Sequence, residues 1–218
     1  MSDPLYDRVL KALSQESRRK KFELFQSLFR PQREDRILDI GVSPYAYSGY
    51  TFEDFYPCPE RIIGGAIGIT EVREARECYP QPSYAVFDGT ALPFPDKSFD
   101  IVFSNAVIEH VVGRDRQARF AQEIMRVGKS WFVTTPNYWF PLETHYHLPF
   151  LQFLPPEAQR TYNRLLGTSI PKGELLDLAL LSARDLQRLF PTGRVVKMRL
   201  TFWPETLVVY CRDPARDR

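Results

Sequence analysis

The sequence predicts an α/β fold: a doubly wound, mostly parallel seven-stranded sheet of the Rossmann-like kind, with an antiparallel C-terminal hairpin. Two observations predict it. Between residues 36 and 136, short apolar segments that suit strands alternate with segments of helical periodicity. Such alternation favours a parallel sheet with helices on both faces. Near the C-terminus, the strand-like segments 194–202 and 206–212 are separated by only three residues, and so short a connection suits antiparallel neighbours.

The individual helices and strands are predicted from the spacing of apolar residues and from the proline and capping residues that end or begin each run. Apolar residues recur at helical intervals over 5–29, as one helix or two, and Pro31 ends the run. Later helices are predicted over 70–78 and 114–127, and Ser182 is a plausible N-cap for a helix that reaches Phe190. The five strands before the closing pair are predicted at 36–41, 61–68, 83–88, 99–106 and 130–135.

The chain is predicted to form one domain, 1–218, with four parts. The length of 218 residues suits a single domain. After Pro136 the alternation lapses into a segment rich in aromatic residues, leucine and proline, which predicts an insertion of loops and helices above the sheet. The predicted parts are an N-terminal helical cap (1–32), a ligand-binding core (33–136), a lid or acceptor insertion (137–181) and a closing helix with its hairpin (182–218).

Composition excludes several classes of partner. A formal net charge of +2 gives no support for a nucleic-acid partner. The three cysteines, Cys58, Cys78 and Cys211, lie far apart, which indicates reduced thiols in a cytoplasmic protein. No apolar run approaches the roughly 20 residues of a membrane span, so no transmembrane segment is expected. The oligomeric state is left open.

Polar residues follow four of the predicted strands at the point where each ends. They are Asp39 and Gly41, Asp88-Gly89, Asn105-Ala106, and Thr135-Pro136-Asn137. A doubly wound sheet binds ligands at the carboxyl ends of its strands, near the point where strand order reverses. These residues are therefore expected to meet in one crevice. The alternative is that they are polar only because loops lie at the protein surface.

Three segments resemble the class I S-adenosylmethionine-dependent methyltransferases, in particular the methyltransferase type 11 branch. Residues 37–41 (ILDIG) resemble the first motif of that family. The run 87–102 (FDGTALPFPDKSFDIV) is similar to its central segment, and 105–111 (NAVIEHV) continues it in the manner of the ubiquinone and menaquinone methyltransferases. The resemblance is close over about 36–136 and elsewhere concerns only the general layout.

The resemblance implies that S-adenosylmethionine is the cofactor. Asp39 and the backbone at Gly41 and Val42 would face its methionine portion. Asp88 would accept a hydrogen bond from the adenine amino group, and Gly89 and Thr90 would pack on the ring. The floor beneath the transferred methyl group would be formed by Asn105 and Ala106.

Two features depart from the family pattern. The glycine-rich turn expected after the first strand is replaced by 42–49 (VSPYAYSG), which lacks a second glycine until Gly49. After the second strand, Thr70 stands where an acidic residue usually holds the ribose hydroxyls, and Glu71 follows it. Glu71 could substitute, Thr70 could bind more weakly, or the ribose could be held from Ser43 or Tyr45. A degenerate family member that binds the fold's ligands without catalysis therefore remains an alternative. A nicotinamide-dependent oxidoreductase is disfavoured, because this sequence lacks the G-x-G-x-x-G motif that such an enzyme would need.

The predicted reaction is methyl transfer to a small-molecule, glycan or lipid-like acceptor. An alcohol or phenol would need a base, for which His110 is the first candidate and His145 the second; the alternative is that His110 merely packs or caps. Acceptor-binding residues are predicted in the insertion: Trp139, Tyr146, His147 and Phe150. The alternative is that these side chains only close the core. Glu109 or Glu143 could add a third metal ligand, but two histidines at i, i+2 without a motif predict no metal site.

Overall fold

The computed structural model describes residues 4–42, 51–166, 177–199 and 202–217 and confirms the predicted fold class. A seven-stranded sheet has the order β3-β2-β1-β4-β5-β9-β8, and β6 and β7 form a separate two-stranded hairpin. The strands are β1 (Ile37–Ile40), β2 (Ile62–Ala66), β3 (Ser83–Val86), β4 (Phe99–Asn105), β5 (Gly128–Pro136), β6 (Leu142–Glu143), β7 (Leu148–Pro149), β8 (Arg194–Arg199) and β9 (Pro204–Cys211).

The first five strands run parallel, and β9 pairs antiparallel with both β5 and β8. The chain starts at β1 in the middle of the sheet, builds outward through β2 and β3, and then returns to β4 on the other side. Strand order thus reverses between β1 and β4. A crevice is expected at the carboxyl ends of these two strands.

The helices of the described residues are α1 (Pro4–Phe29), α2 (Phe52–Phe55), α3 (Ile69–Cys78), α4 (Arg114–Val127), α5 (Pro156–Leu166) and α6 (Ala183–Leu189). The predicted N-terminal run forms one helix, and the predicted Ser182 cap is present, because its hydroxyl accepts from the backbone N–H of Asp185. The short helix α2 was not predicted. Among the described residues, no helix has the length and apolar character needed to cross a membrane.

Alternating side chains of the sheet feed two apolar cores on opposite faces. In β4, Ile101 and Phe103 join the core under α1, whereas Val102 joins the core under α4 and α6. This is the period-two alternation of a strand that is buried on both faces. In β1, Asp39 has the same parity as Ile37, so its carboxyl group lies on the α1 face.

The core under α1 is built mainly from phenylalanine rings. Phe25 is fully buried and makes edge contacts with Phe52, Phe103 and Phe132 at centroid distances of 5.4, 5.6 and 5.7 Å. Residues four apart share one face of a helix, so the anchoring of Phe25 also directs Lys21 toward the sheet. The packing of α1 therefore fixes the position of a cationic side chain over the carboxyl end of β4.

The insertion after β5 forms a compact hairpin followed by α5. His147 and Phe150 adopt left-handed backbone conformations, with φ of 54° and 60°, and the Phe150 N–H donates to the Pro141 carbonyl at 2.6 Å. Left-handed residues other than glycine are uncommon and mark tight turns. The hairpin brings His145, which lies between its two short strands, toward the sheet.

Candidate functional site

A cleft of about 680 Å³ lies at the carboxyl ends of β1, β2, β3 and β4. Many of the predicted site residues line it: Asp39, Gly41, Val42, Glu71, Asp88, Gly89, Asn105, Ala106, His110 and His145. Residues that sequence reasoning did not assign to it also line it, among them Arg18, Lys21, Phe22, Phe52, Glu53, Phe55 and Arg116. The cleft therefore joins the core strands to α1, α2 and the β6–β7 hairpin.

The floor of the cleft is tightly packed where β1 and β4 end. Gly41 has φ of 95°, and a Cβ there would lie 2.2 Å from Cγ2 of Val107. Ala106 also has a positive φ, 56°, and its N–H donates to the Thr134 carbonyl at 3.0 Å. Strained backbone of this kind persists where the surrounding structure holds it and is frequent at functional sites. The packing around the two strand ends thus holds their backbone in place at the cleft.

Two carboxyl groups lie together at the β1 end of the cleft. Asp39 and Glu53 are both buried. Burial, the charge of Glu53 and a hydrogen bond to it raise the pKa of Asp39 well above its ordinary value, and burial also raises the pKa of Glu53. Two buried carboxylates in contact favour sharing a proton. A cationic ligand group placed here would replace that proton.

Asp88 follows β3 and is held by its neighbours. Its Oδ1 accepts from the N–H and the hydroxyl of Thr90, both at 2.8 Å, and its Oδ2 lies 3.4 Å from the Arg116 guanidinium. The backbone hydrogen bond from Thr90 is the main reason why the pKa of Asp88 lies below its ordinary value. Thr90 itself is not on the cleft lining, so it positions Asp88. Gly89 is also required, because a Cβ there would lie 2.4 Å from the Phe120 ring.

The β2 exit differs from the sequence-based placement. The strand ends at Ala66, and Ala66 and Ile67 line the cleft. Thr70 is the second residue of α3; it is exposed and lies outside the lining, whereas Glu71 is within it. A Cβ on Gly68 would lie 1.9 Å from Glu71 Oε2, which shows that Glu71 folds back over the start of its own helix. Ser43 and Tyr45 lie outside the described residues.

The opposite end of the cleft is cationic. The Lys21 ammonium donates to Asn105 Oδ1 at 3.1 Å, and Thr134 donates to the same oxygen at 2.7 Å. Burial, followed by the charge of Arg18, lowers the pKa of Lys21 to about 8. The side chain is partly exposed by its accessible area, so the ammonium lies at the wall of the cleft. Asn105 receives two donors and is held rigidly.

Beyond Asn105, an acidic residue and two histidines converge. Glu109 is fully buried, and its Oε2 accepts from the Thr135 hydroxyl at 2.9 Å. Burial raises the pKa of Glu109 to about 7. The rings of His110 and His145 meet edge to face with centroids 5.2 Å apart, and His145 Nδ1 lies 2.8 Å from Oε1 of Glu143.

The pKa values of the two imidazoles are shifted in opposite directions. Burial, and then the positive charge of His145, lower the pKa of His110. Burial by itself lowers the pKa of His145 too, but the hydrogen bond and the charge of Glu143 outweigh it and raise the pKa above its ordinary value. Both predicted histidines therefore lie at the cleft in contact with one another.

The predicted acceptor residues of the insertion lie elsewhere, which corrects the predicted placement over the crevice. Trp139 and Phe150 are 59% and 58% exposed and lie outside the cleft lining, and each packs against Phe153. Tyr146 is buried in a small core with Leu148 and Leu151, and His147 takes the left-handed turn position. Of the residues predicted in the insertion, His145 is the one that lines the cleft.

Sequence reasoning missed Lys21, Glu53 and the burial of Glu109. Lys21 lies four residues before the buried Phe25 and therefore shares a face of α1 with it. That shared spacing was the available signal. No sequence signal predicted that Glu53 lines the cleft, because it follows a segment without a recognisable pattern.

A family model described as "Methyltransferase domain" matches residues 38–131. A curated but uncharacterized protein of Mycobacterium tuberculosis is 39% identical over 54 residues, which are 25% of this chain and 18% of that protein. The match thus spans under a fifth of the relative's length.

Solved structures show the same fold at low identity. Magnesium protoporphyrin IX methyltransferase from Synechocystis PCC 6803, solved with bound S-adenosylhomocysteine, has a TM-score of 0.59 at 12% identity and covers 96% of this chain and 88% of its own. A Haloferax volcanii chain solved with the Trm112 methyltransferase activator has a TM-score of 0.56 at 16% identity. This likeness covers 94% of the present chain and 97% of the Haloferax chain. Residues 38–131 thus resemble a methyltransferase domain, and the chain shares the fold of solved methyltransferases, one of them with S-adenosylhomocysteine bound.

Proposed function

We propose that the protein transfers the methyl group of S-adenosylmethionine to a hydroxyl-bearing, small-molecule or lipid-like acceptor. One observation carries the proposal: a single cleft has an acidic end at Asp39, Glu53 and Asp88 and a cationic, histidine-lined end at Lys21, His110 and His145. Transfer between two small molecules requires adjoining sites of different chemistry, one for the methyl donor and one for the acceptor.

The residues of the acidic end fit the cofactor. The buried pair Asp39 and Glu53 would place carboxylate groups beside the cationic methionine portion, and the absence of a side chain at Gly41 would allow close approach. The hydrogen bonds from Thr90 fix the Asp88 carboxylate at the cleft, which supports Asp88 as the partner of the adenine amino group. Glu71 lines the cleft and Thr70 does not, which supports Glu71 as the partner of the ribose hydroxyls.

When bound, the cofactor would supply an electrophilic methyl group, and the electron pair of the broken C–S bond would stay on sulfur, which leaves as the neutral thioether. The chain's own contribution is to hold the acceptor oxygen in line with that group and to exclude water. Asn105, fixed by Lys21 and Thr134, forms the rigid floor. His110 and His145 face the acceptor hydroxyl, whose proton must leave as the C–O bond forms.

The walls support an acceptor with an apolar portion. Phe22, Phe52, Phe55 and Phe103 line the cleft, and the rings of Phe22 and Phe55 stack 4.8 Å apart. Pockets with aromatic walls and a few placed polar groups bind mainly by burying apolar surface. The likeness of residues 105–111 to the quinone methyltransferases supports a phenolic ring as the hydroxyl carrier. A cytoplasmic location is part of the proposal, supported by three cysteines that are free thiols.

Methyl transfer from isotopically labelled S-adenosylmethionine to a panel of phenols, quinols, glycans and fatty acids tests this proposal. We expect a methylated hydroxyl product from an apolar acceptor, detected by mass spectrometry. His110→Ala should lower kcat/KM at least tenfold while S-adenosylhomocysteine affinity stays within about twofold, since the histidine is at the acceptor end; Trp139→Ala is the matched control and should change neither.

Two outcomes would contradict the proposal. A polar amine as the best acceptor would overturn the hydroxyl assignment. Binding of S-adenosylhomocysteine without transfer to any member of the panel would favour a binding protein without catalysis. The departure of residues 42–49 from the glycine-rich pattern is the feature that motivates this alternative.

A further inference from the structure

Three potential metal ligands converge at the acceptor end of the cleft. They are Glu109 and His110, which follow β4, and His145, from the β6–β7 hairpin. One donor atom from each lies within 4.8 Å of the other two. The residues come from segments 35 positions apart in sequence, so only the fold brings them together. The sequence predicted no metal site because it paired His145 with His147; the structure pairs it with His110 instead.

Glu109 carries an unexplained buried oxygen. Its Oε2 accepts from Thr135, but its Oε1 is buried without a hydrogen-bond partner. Buried polar atoms nearly always have a partner, and an orphaned one in a native fold calls for an unseen water or ion. A cation bound between Glu109 and the two histidines would satisfy this oxygen.

His145 is oriented as metal-binding histidines are. Its Nδ1 donates to Oε1 of Glu143 at 2.8 Å, and Oε2 of Glu143 accepts from the backbone N–H groups of His145 and Tyr146, both at 2.8 Å. The buried Glu143 thereby fixes both the ring and its tautomer, and Nε2 is left to bind a ligand. A carboxylate behind a ligating histidine is the usual outer-shell partner of a metal site.

The donor set selects the class of ion. Two imidazoles and one carboxylate favour divalent transition metals such as Zn²⁺, Mn²⁺ or Fe²⁺ over Mg²⁺ and Ca²⁺, which prefer oxygen ligands alone. Ligand distances of about 2.1 Å place donors about 3.4 Å apart in a tetrahedral site, so binding would draw the three side chains closer together. His110 is exposed to the cleft, which leaves a coordination position open on the acceptor side.

We propose that Glu109, His110 and His145 bind one divalent transition-metal ion whose open coordination position takes the acceptor's hydroxyl oxygen. The role in acceptor binding rests on the proposed function, whereas the ion site itself does not. With the oxygen coordinated, its proton is released to water through the open cleft; the C–O bond then forms as the methyl C–S bond breaks. Methylated acceptor, S-adenosylhomocysteine and one proton are the products.

Titration calorimetry of tag-free, chelator-treated protein with ZnCl₂ and MnCl₂, in the absence of cofactor, tests the ion site. We expect one ion per chain. Glu109→Gln and His145→Ala should each weaken binding by at least tenfold, and Glu143→Gln, which acts through His145, by about 10–100-fold. His147→Ala is the matched control, two residues along the same hairpin, and should bind as the wild type does. Co²⁺ loading should give visible absorption bands that the His145→Ala variant loses.

Thermal melting first establishes that each variant folds. Equal ion binding by wild type, Glu109→Gln and His145→Ala, or no binding by the wild type, would overturn the inference. Methyl transfer that persists in chelator would overturn the role in acceptor binding alone. Ion binding by a protein that fails to bind S-adenosylhomocysteine would instead defeat the proposed function and leave the site standing.

Discussion

Replacing Lys21 by methionine should stabilise the protein. The ammonium sits at the cleft wall near Arg18, and its pKa falls from the ordinary value of 10.5 to about 8. A difference of about 2.5 in pKa corresponds to about 3.4 kcal/mol. Partial exposure of the side chain and loss of the hydrogen bond to Asn105, worth about 1 kcal/mol, reduce the expected gain at pH 7 to about 1–2 kcal/mol.

The sign of the pH dependence follows from proton counting. Between about pH 8 and 10.5 the unfolded chain keeps a proton on Lys21 that the folded chain has released, so stability rises with pH in this window. Below pH 8 both states are charged, and the full destabilisation remains. The charged groups that face Lys21 are Arg18, which opposes its charge, and Glu109 and Glu205, which favour it. In the Lys21→Met variant, the free energy of unfolding should no longer rise with pH in this window.

Urea unfolding at pH 7 and pH 9.5 measures both effects. Lys20→Met is the matched control, because Lys20 lies next in the same helix and makes only a long contact of 3.9 Å with Glu16. The control should lie within about 0.5 kcal/mol of wild type at both pH values. Two results together would contradict this prediction: Lys21→Met is no more stable than wild type at pH 7, and its free energy of unfolding rises between pH 7 and pH 9.5 as that of the wild type does. The charged Lys21 side chain would then not destabilise the folded protein.

Three further predictions concern the binding sites. Asp88→Ala should weaken S-adenosylhomocysteine binding by about 1–3 kcal/mol in calorimetry, because the adenine amine loses a charged partner; unchanged affinity would remove Asp88 from the site. Glu71→Gln should weaken cofactor binding while Thr70→Ala does not, since only Glu71 lines the cleft; the reverse order would restore the sequence-based placement. Trp139→Ala and Phe150→Ala should leave the acceptor KM within about twofold of wild type, because both side chains lie outside the cleft lining; a large rise in KM would show that the insertion moves over the acceptor.

The sheet was predictable because its signals are local. Each core strand is a short apolar run ended by a polar or glycine residue, and β1 and β4 carry Asp39 and Asn105 at their exits. Those exits converge through topology alone, so the cofactor end of the cleft follows from the sequence. The fold class needed no knowledge of side-chain contacts.

The acceptor end was predicted only in part, because it depends on contacts between distant segments. His110 and His145 could be singled out as rare residues, but their pairing depends on the left-handed turn at His147, which no propensity rule predicts. Phe150, whose apolar character suggested a lid, has a left-handed backbone of its own and an exposed side chain. Lys21 reaches the cleft because Phe25 anchors α1 on the sheet, a tertiary effect that helical periodicity alone does not reveal.

Titration calorimetry of the whole chain with S-adenosylhomocysteine measures cofactor binding, on which the proposed cofactor and acceptor sites depend. We expect one molecule bound per chain and, at 100 times the dissociation constant, a stabilisation of about 2.7 kcal/mol against unfolding. A folded protein that shows neither binding heat nor a shift in its unfolding transition at millimolar S-adenosylhomocysteine would contradict the account.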